Sequence, residues 1–214
     1  MMNRTMSRRV GVFCTLIAFL GCGCELVGAA LDAEDRYPRP VEARRIASDD
    51  LLERLIEAGF PVYAGLNPPD ITGTYHSVDG QTIYDDNQGG PGSFGTTCEA
   101  YLTYMPTNSI LRYDTELDYV ACEGGSTGLL TYVSGFGNCF TLYSKQAGSF
   151  HGCEFTSVSI RSGCLVEDGI EDYILAFLHT EQRGAACADL IDVHRISGVD
   201  EVRMVEEAFL ARVD

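Results

Sequence analysis

Positive charge is scarce in this chain: 15 Lys and Arg stand against 31 Asp and Glu in 214 residues, for a formal net charge of −16. A surface of that sign repels phosphate, which argues against nucleic acid and anionic lipid headgroups as partners. Nine cysteines include no C-x-x-C pair, so neither the usual zinc motif nor a dithiol redox motif is present. The nucleotide loop G-x-x-x-x-G-K-[ST] is also missing. The uncharged run Val10–Cys24 falls short of the roughly 20 residues that cross a bilayer as a helix, which argues against a stable transmembrane anchor there.

What the N-terminus does contain is Arg4, Arg8 and Arg9 followed by that apolar run, the layout of an export signal. Removing residues 1–21 takes away three arginines and no acid, leaving 12 basic against 31 acidic residues. Phe19-Leu20-Gly21-Cys22 resembles the lipobox of bacterial lipoproteins, which implies cleavage before Cys22, its acylation and a membrane partner through the lipid. The alternative is ordinary cleavage within Val27-Gly28-Ala29-Ala30, giving a soluble periplasmic or secreted protein. Both routes lead out of the cytoplasm.

Past the signal, Cys98, Cys122, Cys139, Cys153, Cys164 and Cys187 are even in number and match no metal-ligand spacing. In an exported chain they read as a disulfide framework. Bridges between neighbouring strands favour Cys139–Cys153 or Cys153–Cys164.

Between Ile71 and Ile196 the hydrophobic period is two. Leu111, Tyr113, Thr115, Leu117, Tyr119 and Ala121 alternate with Arg112, Asp114, Glu116 and Asp118, putting one set in a core and the other in water. Further strands are expected at Ile71–Val78, Cys98–Tyr104, Leu129–Val133, Cys139–Lys145, Cys153–Arg161, Ile170–His179 and Ala188–Ile196. Asp79-Gly80, Pro106-Thr107-Asn108, Gly124-Gly125, Ser134-Gly135-Phe136-Gly137-Asn138, Ala147-Gly148 and Asp168-Gly169 read as turns between them, and Asn87–Gly95 as the longest loop. The expected fold is all-β: an antiparallel meander of about eight strands closed into a barrel or folded into a sandwich, since an open sheet leaves unpaired edges.

Residues 22–46 read as a solvated tether, and Ser48 caps a helix within 47–60 whose Leu51, Leu52, Leu55 and Ile56 form one face against one end of the sheet. The β domain is expected over 61–199. For 200–214 Val202, Val205 and Phe209 suggest a helix, with a strand at Val202–Val205 as the alternative.

Asn67-Pro68-Pro69-Asp70 with Gly73-Thr74-Tyr75, Gly137-Asn138-Cys139-Phe140-Thr141 and Asp168-Gly169-Ile170 resemble recurring segments of uncharacterised bacterial envelope lipoproteins. That resemblance spans residues 60–196 and implies a lipid-anchored β domain of the outer membrane, with no activity to carry over. Gly73-Thr74-Tyr75 is also similar to the first-strand entry of lipocalins, which implies a barrel holding a small apolar ligand. Tyr75 stands where that family has tryptophan.

Gly124-Gly125-Ser126-Thr127-Gly128 spells G-x-S-x-G, yet a nucleophile elbow needs a strand-to-helix turn and "LLTYVSGFG" follows. A glycine-rich turn is the expected role. His76, His151, His179 and His194 are scattered, and Asp192-Val193-His194 alone makes no metal site. "YDDNQGG" and "EDGIED" are acidic, but the twelfth position from Asp85 is Thr96 where a calcium loop needs a bidentate acid. The sequence therefore points to no catalytic residue, metal or cofactor, and to a binding or structural envelope protein whose partner is an apolar ligand or another envelope protein; the remaining alternative is a hydrolase that brings a serine hydroxyl to His151, His179 or His194.

Overall fold

The computed structural model describes residues 36–93, 95–120, 122–192 and 197–213. The segment expected to be an export signal, Cys22 and His194 lie outside them. The strands are β1 (Leu66–Asn67), β2 (Gly73–Ser77), β3 (Gln81–Asp85), β4 (Gly90–Pro91), β5 (Ala100–Pro106), β6 (Tyr113–Tyr119), β7 (Gly124–Phe136), β8 (Cys139–Phe150), β9 (Cys153–Val166), β10 (Gly169–Arg183) and β11 (Val202–Arg212). The helices are α1 (Val41–Ile46), α2 (Asp49–Glu57) and α3 (Ala186–Asp192).

Strands β5 to β10 form the expected meander, each paired to its predecessor. Closure comes from β11, which pairs antiparallel with β10 on one side and with β2 on the other, while β2 pairs β5. The result is a closed eight-stranded antiparallel barrel, with no free edge within the ring. β2 and β3 lie end to end along β11, as Tyr75↔Arg212, His76↔Ala211 and Gln81↔Glu206 show. At the break between them the buried Glu207 carboxylate accepts from the Val78 amide at 2.8 Å, the Asp79 amide at 3.2 Å and the Ser77 hydroxyl. One side chain thus satisfies the groups that the interrupted ladder leaves open.

The inward face is layered. At one end Ile71, Tyr75, Leu102, Tyr104, Phe140, Leu142, Ile170, Tyr173 and Leu210 make an apolar core drawn from most of the ring. At the other, Phe150, Cys153 and Cys187 with Phe155, Leu190 and Ile191 form a plug under α3. A polar layer lies between. Outside the barrel, α1 and α2 bury Ala43, Ala47, Leu52 and Leu55 against Tyr143, Ile160, Ile174, Ala176, Val202 and Met204. The Ser48 hydroxyl accepts from the Leu51 amide at 3.2 Å, the expected cap of α2. Buried Arg39 donates to Asp49 at 2.6 Å and to the Ala47 carbonyl at 3.2 Å, with its guanidinium over the Tyr143 ring, so one side chain ties both helices to β8.

Several expectations are corrected. Residues 36–46, read as the end of a tether, carry α1 and pack on the barrel; α2 covers the outer face of β8–β11, not an end of the sheet. Ala188–Ile196 was expected as a strand, but Ala186–Asp192 is α3, because Cys187, Leu190 and Ile191 at helical spacing face the plug. The expected C-terminal helix is β11. Gly124-Gly125 and Ala147-Gly148 are inside β7 and β8, where a Cβ on Gly124 would meet the Ser149 carbonyl at 2.1 Å and one on Gly148 the Gly125 carbonyl at 2.3 Å. Glycine here permits close strand approach in a coiled pair. The stretch expected as a loop over Asn87–Gly95 contains β4, and Ser134, Gly135 and Phe136, expected in a turn, belong to β7.

All six later cysteines are paired, as Cys98–Cys122, Cys139–Cys164 and Cys153–Cys187. The two favoured bridges, Cys139–Cys153 and Cys153–Cys164, are both excluded by one register. In the β8–β9 hairpin Cys139 faces Cys164 and Phe150 faces Cys153, so Cys153 sits at the far end of the barrel from both. Such a framework belongs to an oxidising compartment, consistent with export.

Candidate functional site

Two features of the barrel wall present chemistry, one on each face of the same strands. On the outer face, a concavity of ≈590 Å³ crosses β6 to β10. The register places two rows of side chains along it. Glu116, Thr127, Ala147, Thr156 and Glu181 form one, and Asp118, Gly125, Ser149, Glu154 and Arg183 the other. Small residues make the floor and charged ones the ends. Gly125 must remain bare, since a Cβ there would meet the Leu117 carbonyl oxygen at 2.6 Å. The Arg183 guanidinium is held by Glu181 at 2.8 Å, whereas Glu116, Asp118 and Glu154 have no ion pair among the described residues. The trough is therefore an open polar surface with a negative field, in the size range of ligand sites but without the apolar lining of most.

On the inner face, the polar layer runs around the ring. Thr115, Thr131 and Ser144 hydroxyls are linked at 3.3 and 2.8 Å. Ser144 faces Ser159, Gln146 faces Ser157, and Leu142 faces Arg161. Asp85 is fully buried and accepts from Arg203 Nη2 at 2.6 Å and Nε at 3.0 Å. His179, opposite Ser157, lies between the Phe155 and Phe177 rings, and neither ring nitrogen has a hydrogen-bond partner. Burial, with the positive charge of Arg203 nearby, pushes its pKa down to about 4. Burial likewise raises the Tyr104, Tyr119 and Tyr173 phenols.

Because His179 is neutral in the fold and protonates near its ordinary value when unfolded, its contribution is intact above about pH 6.5 and is lost as pH falls toward 4. From the linkage relation, stability drops by about 2 kcal/mol between pH 7 and pH 5 through this group. Urea midpoints at the two pH values should show it, and His179→Gln should flatten the difference; an equal drop in both proteins would assign it elsewhere.

The sequence-flagged residues fall as follows. Ser126 lies within β7 opposite Gly148, so the strand-to-helix elbow is absent; of the motif's glycines Gly124 lines the trough, while a Cβ on Gly128 would meet the Thr115, Thr131 and Ser144 hydroxyls of the inner layer. His76 is paired to Glu99 at 2.6 Å and stacked on Tyr101. His151 follows β8 at a tight turn, its ring edge-on to Phe150. The acids of "YDDNQGG" face cations of the chain itself: Asp85 binds Arg203 and Asp86 binds Arg54. Among the described residues no group of three or more His, Cys, Asp or Glu is placed to hold a metal. Sequence reasoning missed both the trough and Arg161. The trough needs the cross-strand register, and Arg161 lies in the run Ser159–Ser162, whose faces cannot be assigned without it.

No protein-family model matches the chain, and no curated protein matches it either. The site is thus read from its own geometry.

Proposed function

We propose that this chain is an exported barrel, attached to a bacterial envelope through lipid on Cys22, that works by binding and not by turnover. Its recognition surface is the outer trough, and the partner presents amines or guanidinium groups. The observation that carries this reading is the ≈590 Å³ concavity in which Glu116, Asp118 and Glu154 have no ion pair among the described residues around a floor of small residues. A net charge of −16 extends the attraction beyond the contact itself. The envelope assignment is supported by the N-terminal signal and the three disulfides.

Titration of the purified protein with spermidine at low ionic strength should give saturable binding that weakens steeply with salt. Asp118→Asn with Glu154→Gln should weaken it at least tenfold while leaving the thermal midpoint in place. Absence of saturable binding, or binding indifferent to both replacements, would remove the trough from consideration. The mass of the mature N-terminus tests the anchor separately: a triacylated Cys22 supports it and an unmodified start near Ala30 refutes it.

A further inference from the structure

Inside the barrel, between the apolar core and the α3 plug, a guanidinium, an amide and a hydroxyl are buried without hydrogen-bond partners among the described residues. Arg161 is 2% exposed, faces Leu142 and Leu175 across its neighbours, has an unpartnered Nε, and forms no ion pair among the described residues. Around the same layer the Gln146 amide nitrogen, the Ser159 hydroxyl and the neutral His179 ring are buried without a partner, and the Tyr104 and Tyr173 hydroxyls have only one another. The inward carboxylates are occupied elsewhere. Asp85 is held by Arg203, and Glu207 accepts from Ser77, Val78 and Asp79 at the strand break. A buried guanidinium without acceptors is among the least tolerable groups in a protein interior.

We infer that this layer is a binding site for a small carboxylate, with Arg161 as its anchor and Gln146, Ser159 and the Tyr104–Tyr173 pair completing the donor set. A carboxylate fits because it is acceptor-only, carries two oxygens that match the guanidinium fork, and meets hydroxyl and amide donors without needing to give a proton. The site is distinct from the trough: Gln146 and Ser157 are paired and buried on the inner face, whereas the neighbouring pair Ala147 and Thr156 on the same two strands lines the trough. Its ligand has the opposite charge to the trough's.

The test is thermal unfolding and calorimetry of the disulfide-intact protein with acetate, butyrate and benzoate as probes, chloride and inorganic phosphate serving as controls. At least one carboxylate should bind saturably at one equivalent and raise the midpoint. Arg161→Gln should abolish the rise, and Ser159→Ala and Gln146→Leu should each weaken binding severalfold. Glu154→Gln in the trough should leave it unchanged. If Arg161→Gln fails to fold, the other two variants still decide. No saturable binding by any carboxylate, so that water alone fills the layer, overturns the inference, as does binding that survives all three interior replacements.

Discussion

Arg203→Met should destabilise the protein by about 3–5 kcal/mol, the range for stripping the partner from a buried charge. Asp85 has no solvent exposure, and its other contacts, the Asn87 amide at 3.0 Å and the Gln88 amide at 3.2 Å, are neutral. Without the guanidinium the carboxylate keeps its desolvation penalty and loses its counter-charge. Asp85→Asn should cost less than this only if water reaches Arg203. The double replacement, Asp85→Asn with Arg203→Met, should recover most of the loss, since removing both charges removes the penalty. Urea midpoints of the four proteins give the coupling directly. Single variants within 1 kcal/mol of the parent would mean that the pair is solvated in solution. The same Arg203→Met protein should show a raised His179 pKa by NMR titration, because the arginine is one of the two causes of its depression.

Replacing Cys153 and Cys187 together by alanine should cost about 4 kcal/mol, from the loop entropy of a bridge spanning 34 residues. This bridge has a task the Cys139–Cys164 bridge lacks. Cys139 and Cys164 already face one another in a hydrogen-bonded hairpin. Cys187 instead belongs to a seven-residue helix, too short to persist alone, and is the covalent tie that holds α3 over Phe150 and Phe155. Amide exchange should therefore accelerate first in α3 and the adjoining end of β9. An unchanged midpoint with unchanged exchange would show that Leu190 and Ile191 suffice to hold the plug.

The strands were most legible where only one face is buried. In β6, Tyr113, Thr115 and Leu117 are inward and Asp114, Glu116 and Asp118 outward, as the alternation requires. In β11 the alternation vanishes, because Val205 and Leu210 face the lumen while Val202 and Met204 meet the N-terminal helices, and a strand covered on both sides loses its period of two. That is why it imitated a helix. The glycines of β7 and β8 misled for a different reason: they mark where backbones approach, and a sequence does not distinguish this from a place where the chain turns. Register, which decides the disulfides and both sites, depends on contacts between residues far apart in the chain.

The seam at β11 has a temporal consequence. During export the hairpins from β7 to β10 zip as neighbours emerge, but β2 must wait for a partner strand made after nearly the whole domain. Throughout that interval its outer edge stays open to any other nascent copy. The yield of folded protein is then set by a race between ring closure and intermolecular strand exchange at residues 73–85.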